Sequence, residues 1–200
     1  AFLITAIRSA LDTGTPTILA CIHGMGGVGK TELAFAVAQR LIDHFPDAQL
    51  VVPLHGSRDS ALTPVQALQN IVRAFGQHQQ LPHDLAELQQ AYRSCLHGKR
   101  VLIVADDARD ADHVRQLLPP ANCALLMTSR VRFALPAMVQ LHLEGLTAER
   151  SSALLRSISP RANAAEAFAI ATACGHLPLA IRASGSILAN NPALPIANYI

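Results

Sequence analysis

Residues 22–34 read IHGMGGVGKTELA. Gly24, Gly26, Gly27 and Gly29 crowd into one short stretch, and Lys30 and Thr31 follow at once. The segment fits the pattern G-x-x-x-x-G-K-S/T. Glycine costs backbone entropy, so a loop this rich in it needs something to order it. A polyphosphate is the natural candidate. The N–H groups of Gly24, Met25, Gly26, Gly27, Val28 and Gly29 form a cup, and phosphate oxygens approach where no Cβ blocks them. A helix that starts at the end of the loop adds the unpaired N–H groups of its first turn, Thr31 and Glu32 included, and the positive end of its dipole. Lys30 sets a cation against the outer phosphates. At ~4 Å and an effective dielectric of about 20, that attraction is worth roughly 4 kcal/mol before desolvation. Thr31 offers a hydroxyl to a magnesium ion.

Such a site needs acid nearby, because Mg2+ takes oxygen ligands. Residues 101–107 (VLIVADD) supply it: an apolar run, then Asp106 and Asp107. Asp106 is expected to hold the metal, directly or through water. Asp107 is expected to orient or deprotonate an attacking water, with helix capping or a surface position as its alternative. Residues 124–130 (ALLMTSR) put Thr128, Ser129 and Arg130 at the tip of another apolar run. If that strand lies beside the loop strand, Arg130 reaches a terminal phosphate and tells ATP from ADP.

These groups have to be carried by a scaffold. Short apolar runs at 17–22, 49–54, 100–105, 123–128 and 139–143 read as buried strands. Between them the apolar spacing is helical. Leu33, Val37 and Leu41 share one face of a helix over about 31–45. Thr63, Pro64 and Gln66 make a capping box for a helix closed by Gly76. A further helix spans about 85–97, and another runs through Val114, Leu117 and Leu118 to Pro119. Strands alternating with helices predict a five-stranded parallel sheet with right-handed crossovers. The run after the loop helix ends in Leu54, and the acids arrive one strand later. That order is typical of the additional-strand class of P-loop NTPases and argues against simple nucleotide kinases. After Gly145 the strand signal stops. Helices capped at Thr147, over about 164–173 and over about 178–189 follow. The expected division is a nucleotide-binding domain over 1–145 and a small all-α domain over 146–200.

Composition narrows the functional classes. Sixteen basic and 14 acidic residues leave a formal charge of +2 in 200 residues, and Trp is absent. A balance so close, with few aromatics, argues against direct nucleic-acid binding. No apolar run approaches the ~20 residues of a membrane span. Cys21, Cys95, Cys123 and Cys174 are far apart and form no CxxC, which points to buried thiols in a reducing cytoplasm. The chain opens in a helix-like pattern without Met and stops at PIANYI. It reads as a fragment of a longer protein.

Four segments together carry a family resemblance: IHGMGGVGKTELA, VLIVADDA, LLMTSR and 174-CGHLPLAI-181. In that order they resemble the NB-ARC branch of the STAND ATPases, relatives of the AAA+ family. The text between them is similar to bacterial members. The resemblance implies phosphate and magnesium binding by Lys30 and Thr31, a magnesium acid at Asp106, a second acid at Asp107 and a sensor at Arg130. It also implies that Pro178, in the GLPLA-like segment, packs near adenine. Ala105 stands where the family has a larger apolar residue, and His176 replaces a common glycine. The family's winged-helix and flanking domains are absent from these residues.

The implied function is a regulatory switch of a signalling or transcription-regulating protein. ADP holds it off, ATP turns it on, and hydrolysis is slow. Self-oligomerisation in the ATP state of the full-length protein, with sensor and effector domains in cis, goes with that reading. The alternative is a turnover AAA+-like ATPase, such as a loader or remodeller.

Overall fold

A computed structural model of the chain describes residues 2–13, 17–76, 81–196 and 199. Residues 197, 198 and 200, within the closing stretch PIANYI, lie outside the described residues. Contacts divide the chain into two compact units. The first comprises residues 1–24 and 30–142, and the second residues 25–29 and 143–200.

In the first unit, strands β1 (Thr17–His23), β2 (Ala48–Pro53), β3 (Val101–Ala108), β4 (Cys123–Ser129) and β5 (Val139–His142) form one parallel sheet in the order β2-β3-β4-β1-β5. β4 therefore lies between the loop strand β1 and the acid-bearing β3. This is the inserted-strand arrangement expected from the sequence. The same pairing sets β4 directly beside β1, as the placement of Arg130 requires.

Side chains alternate between the two sheet faces. Leu19, Cys21, Val52, Ile103, Ala105, Leu125 and Met127 pack in one cluster with Leu68, Ile71 and Val72 of α3 (Pro64–Ala74). Leu88, Tyr92 and Leu96 of α4 (Leu85–Leu96) and Val114 of α5 (Ala111–Arg115) join the same cluster. The alternate strand residues Ile18, Ala20, Ile22, Leu102, Val104, Ala124 and Leu126 are also buried. Helix α1 (Phe2–Asp12) buries Leu3 and Ile7, and α2 (Lys30–Arg40) buries Ala34, Val37 and Ala38. The α3 start follows its sequence signature: Thr63 and Gln66 complete a reciprocal capping box with Pro64 at the first turn. Cys21, Cys95 and Cys123 are buried, Cys174 is half-buried, and all are free thiols. Burial pushes the Cys21 thiol up to about 12.

Two helices are shorter than their apolar spacing suggests. α2 ends at Arg40, and a separate 3-10 turn covers Ile42–His44. Pro46 disfavours helical backbone at Phe45, which sits at φ −128° and ψ 66°. The break costs little because Leu41 and Phe45 are fully buried anyway. α5 stops at Arg115 because the next turn tightens: Leu117 N–H bonds Val114 O at 2.9 Å and Leu118 N–H bonds Arg115 O at 3.4 Å.

The second unit holds α6 (Ala148–Ile158), α7 (Ala164–Ala173) and α8 (Pro178–Asn190). Leu155, Ala167, Ile170, Ala171, Ile181 and Leu188 form its core. Gly185 allows close packing, since a Cβ there would lie 3.0 Å from Ile158. His176 sits in the turn before α8 at φ 58°. Ser151 Oγ donates its proton to Ala148 O at 2.9 Å and so accepts from His176 Nδ1 at 2.8 Å. The His176 carbonyl accepts Leu146 N–H at 3.0 Å. These bonds tie α6 to the turn before α8.

Tyr92 gives a test of the larger core. It is 1% exposed, and its hydroxyl donates to Leu117 O at 2.7 Å. Tyr92→Phe leaves that carbonyl unpaired in the interior, at a cost of about 1–3 kcal/mol. In urea unfolding the midpoint is expected to fall with the slope unchanged; an unmoved midpoint would show that the bond adds nothing.

Candidate functional site

The predicted phosphate loop leaves β1 at Gly24, whose N–H bonds Ser129 O on β4 at 3.2 Å. Gly24, Gly27 and Gly29 all take positive φ, at 156°, 78° and 99°. Gly27 is constrained twice. L-residues avoid its backbone conformation, and a Cβ would lie 3.1 Å from Leu179 Cβ. Within the second unit, Leu179 N–H donates to Gly27 O at 3.2 Å. That bond connects the loop residues 25–29 to the start of α8, where Pro178 occupies the first turn. Met25 is exposed and Val28 buried, so Met25 faces solvent while Val28 anchors the loop. Glu32 lies in the first turn of α2 with an exposed side chain. Its main-chain N–H is the group that can serve an anion.

Lys30 opens α2 and is 9% exposed. Its Nζ donates to Gly24 O at 2.9 Å, turning the ammonium back toward the end of β1. Burial and the neighbouring Arg130 charge pull its pKa below the ordinary lysine value, and Asp107 and Asp106 partly offset them. Two cations that repel each other are better accommodated when a polyanion lies between them.

Thr31, Asp106 and Thr128 form one junction. Asp106 Oδ1 accepts from Thr31 Oγ1 at 2.7 Å and from Thr128 Oγ1 at 2.6 Å. Two strands and a helix meet here: Asp106 comes from β3, Thr128 from β4 and Thr31 from α2. The geometry depends on an irregularity in β3. The β3–β4 register runs Ala105↔Met127 and then Ala108↔Ser129, so Asp106 and Asp107 together oppose Thr128. That extra residue is a β-bulge, which re-aims side chains. Asp107 takes φ 59° as a result, and its N–H donates to Thr128 Oγ1 at 2.8 Å. Consecutive strand residues would point to opposite faces; the bulge lets both carboxylates serve the same end of the sheet.

Asp107 is half-buried and fully engaged. Ser57 donates to its Oδ2 through both N–H, at 3.1 Å, and Oγ, at 2.6 Å. Arg130 Nε lies 3.7 Å from its Oδ1. Burial works to raise the carboxyl, but the Ser57 hydrogen bonds and then the charges of Arg130 and Lys30 win, leaving its pKa below the ordinary 3.8. Arg130 keeps an exposed side chain beside this carboxylate.

Thr31, Asp106, Asp107, Lys30 and Arg130 are thus brought together, while Pro178 belongs with the loop residues of the second unit. Sequence reasoning missed Ser57. Its one signal is the polar stretch HGSRDS directly after an apolar run. The role of Thr128 was equally unreadable, because it depends on the bulge. Hydroxyl and carboxylate oxygens are hard donors suited to Mg2+. Thr31 Oγ1 and Asp106 Oδ1 are the atoms that fit it.

The Asp107 environment predicts a pH effect. A carboxyl with a lowered folded pKa adds stability that is complete above its ordinary value and is lost as pH falls through the folded one. The stability difference between wild type and Asp107→Asn, from urea unfolding, is expected to be flat above about pH 5 and to shrink below pH 4. A difference that grows on acidification would contradict the assigned partners.

With this geometry in place, comparisons with known proteins are consistent. The NB-ARC domain profile matches residues 3–164. The regulatory protein AfsR of Streptomyces griseus is 40% identical over 195 residues, which takes in 93% of this chain and 20% of that protein. AfsR of Streptomyces coelicolor is 39% identical over 94% of this chain and 20% of its own length. The disease resistance RPP8-like protein 3 of Arabidopsis thaliana is 29% identical over 84% of this chain. The chain spans about a fifth of the length of these relatives. Among solved structures, the Aeropyrum pernix ORC1 protein in complex with DNA has a TM-score of 0.60 at 18% identity, over 97% of this chain and 59% of that one. A Thermotoga maritima RuvB mutant gives 0.60 at 13%, over 96% and 61%. These two share the fold. The match over 162 residues, counted from 3 to 164, covers most of the chain, and the chain belongs to the NB-ARC domain family.

Proposed function

We propose that this chain is the nucleotide-binding switch module of a larger regulatory protein. The NB-ARC membership and the similarity to AfsR regulators support a nucleotide-binding regulatory module. The observation that carries the reading is the Asp106 carboxylate bonded to Thr31 Oγ1, the residue after the loop lysine. That contact joins the metal-binding and phosphate-binding groups in one place. In this reading residues 1–145 hold the nucleotide and residues 146–200 form the helical domain.

The roles follow from the chemistry. The N–H groups of Gly24, Met25, Gly26, Gly27, Val28, Gly29, Thr31 and Glu32 and the Lys30 ammonium bind ADP or ATP phosphates. Thr31 and Asp106 hold Mg2+, which would neutralise charge on the outer phosphates. Asp107 orients water, Arg130 contacts a terminal phosphate, and Pro178 lies near adenine. A γ-phosphate adds charge that only the ATP state offers to Arg130. That difference in contacts is what can shift a two-state equilibrium. ADP therefore holds the closed state, and ATP the open one that self-associates in the full-length protein. Sensor and effector domains in cis, in the cytoplasm, would read the change. Asp107 is a weak proton acceptor when its pKa is lowered, which supports slow hydrolysis.

Protein purified without added nucleotide and then denatured is expected to release ADP. Lys30→Ala is expected to release none while its circular dichroism matches wild type. Equal ADP content in that variant would refute the lysine's role, and rapid steady-state hydrolysis by the wild type would favour a turnover ATPase.

Arg130→Ala is expected to weaken ATP about tenfold more than ADP, the worth of one charge-assisted hydrogen bond. Calorimetric titration with each nucleotide measures this. Equal losses for both would remove Arg130 as a γ-phosphate sensor.

A further inference from the structure

The segment between β2 and α3 wraps around Asp107 more tightly than a surface connection needs to. Pairing beyond β2 continues with Leu54 N–H to Asp106 O at 2.8 Å and Gly56 N–H to Asp107 O at 2.6 Å. Gly56 leaves no room for a side chain: a Cβ would sit 2.4 Å from Arg109 N and 2.5 Å from Asp107 O, both backbone atoms. The Arg109 guanidinium then straps the segment down, donating from Nε to Gly56 O at 3.2 Å and from Nη2 to Arg58 O at 3.3 Å. At the far end Leu62 N–H returns to Leu54 O at 2.9 Å. His113 Nε2 lies 2.6 Å from Leu62 O, while His113 Nδ1 accepts Arg109 N–H at 3.3 Å. The accepting Nδ1 makes Nε2 the protonated nitrogen, so it donates to Leu62 O. Five bonds thus hold the connection to β3 and the residues after it, and a sixth, Leu62 to Leu54, closes it on itself.

What this bracing delivers is Ser57. Its N–H and hydroxyl both reach Asp107 Oδ2, and Oδ1 is left towards Arg130. A carboxylate held at one oxygen by two donors has a fixed rotation, and its other oxygen has a fixed aim. We infer that Ser57, braced by Gly56 and Arg109, is a positioning residue that sets which Asp107 oxygen faces Arg130 and the nucleotide phosphates. The part that concerns nucleotide rests on the reading of Asp107 as the second acid.

Two measurements separate the layers. The first needs no nucleotide: carboxyl-carbon NMR of Asp107, titrated with acid in the full 200-residue chain. Ser57→Ala is expected to move the midpoint up towards the ordinary carboxylate value, and Ser57→Thr, which keeps the hydroxyl, to leave it in place. An unchanged midpoint in Ser57→Ala overturns the positioning role, whatever the protein does with ATP. The second is single-turnover ATP hydrolysis with ATP and ADP affinities measured alongside. Ser57→Ala is expected to lose about tenfold in rate with affinities within about twofold, below the 10²–10⁴ range of a whole acid–base group because the carboxylate remains. Ser57→Thr is expected to restore the rate. Asp107→Asn is expected to lose more, and adding Ser57→Ala to it to lose nothing further. Additive losses overturn the claim that Ser57 acts through Asp107. A shifted midpoint with wild-type hydrolysis in Asp107→Asn supports Ser57's role and removes Asp107 as the second acid.

Discussion

One extra residue in β3 decides the geometry of this site. Asp106 and Asp107 are consecutive, and in a regular strand their side chains would diverge to opposite faces of the sheet. The bulge opposite Thr128 lets one threonine hydroxyl donate to the first acid and accept from the main chain of the second. The cost is a left-handed backbone at Asp107, and non-glycine residues there persist only when their surroundings over-determine them. The surroundings do so: Gly56 N–H takes the Asp107 carbonyl and Ser57 takes its carboxylate.

The sheet order supplies the other half of the constraint. With β4 between β1 and β3, the loop strand and the acid strand never touch. Their functional groups must meet across the end of an intervening strand. Thr128 and Ser129 do that bridging, and both are buried. Ser129 O receives the N–H of Gly24, and Ser129 Oγ donates to Ala108 O at 2.7 Å. β4 is therefore a spacer that fastens the loop on one side and the acids on the other. Its tip residue Arg130 projects from the same spacer.

Much of this was legible in the sequence because the signals were local. The glycine spacing before Lys30 and Thr31, the apolar runs ending in Asp106 and Arg130, and the Thr63–Gln66 capping box are each short-range patterns with one physical meaning. The order of those runs also gave the inserted strand. Long-range features were not legible. A bulge has no residue signature in VLIVADDA, since nothing in those eight letters requires two residues to face one. Ser57 lies 50 positions from its partner, and a serine after a strand is ordinary. The early end of α2 was signalled by Pro46, whereas α5 ends well before Pro119; in both, apolar spacing continued past the true end because Leu41, Phe45 and Leu117 are still buried.

The charges bear on the proposed switch. Burial and the nearby Arg130 charge disfavour the charged form of Lys30, and Asp107 and Asp106 offset this only in part. The site thus sets one cation against another. On the proposed reading a diphosphate relieves it at Lys30, and a third phosphate would relieve it at Arg130 by drawing that guanidinium from Asp107. The 3.7 Å separation of that pair, with the arginine exposed, marks a weak tie. Asp107 loses little when it is broken, because Ser57 still holds Oδ2. A strong Arg130–Asp107 bond would have made the ATP and ADP states compete against a large fixed cost. On that reading, a weak bond beside a firmly held carboxylate would let one phosphate's difference in charge decide the state.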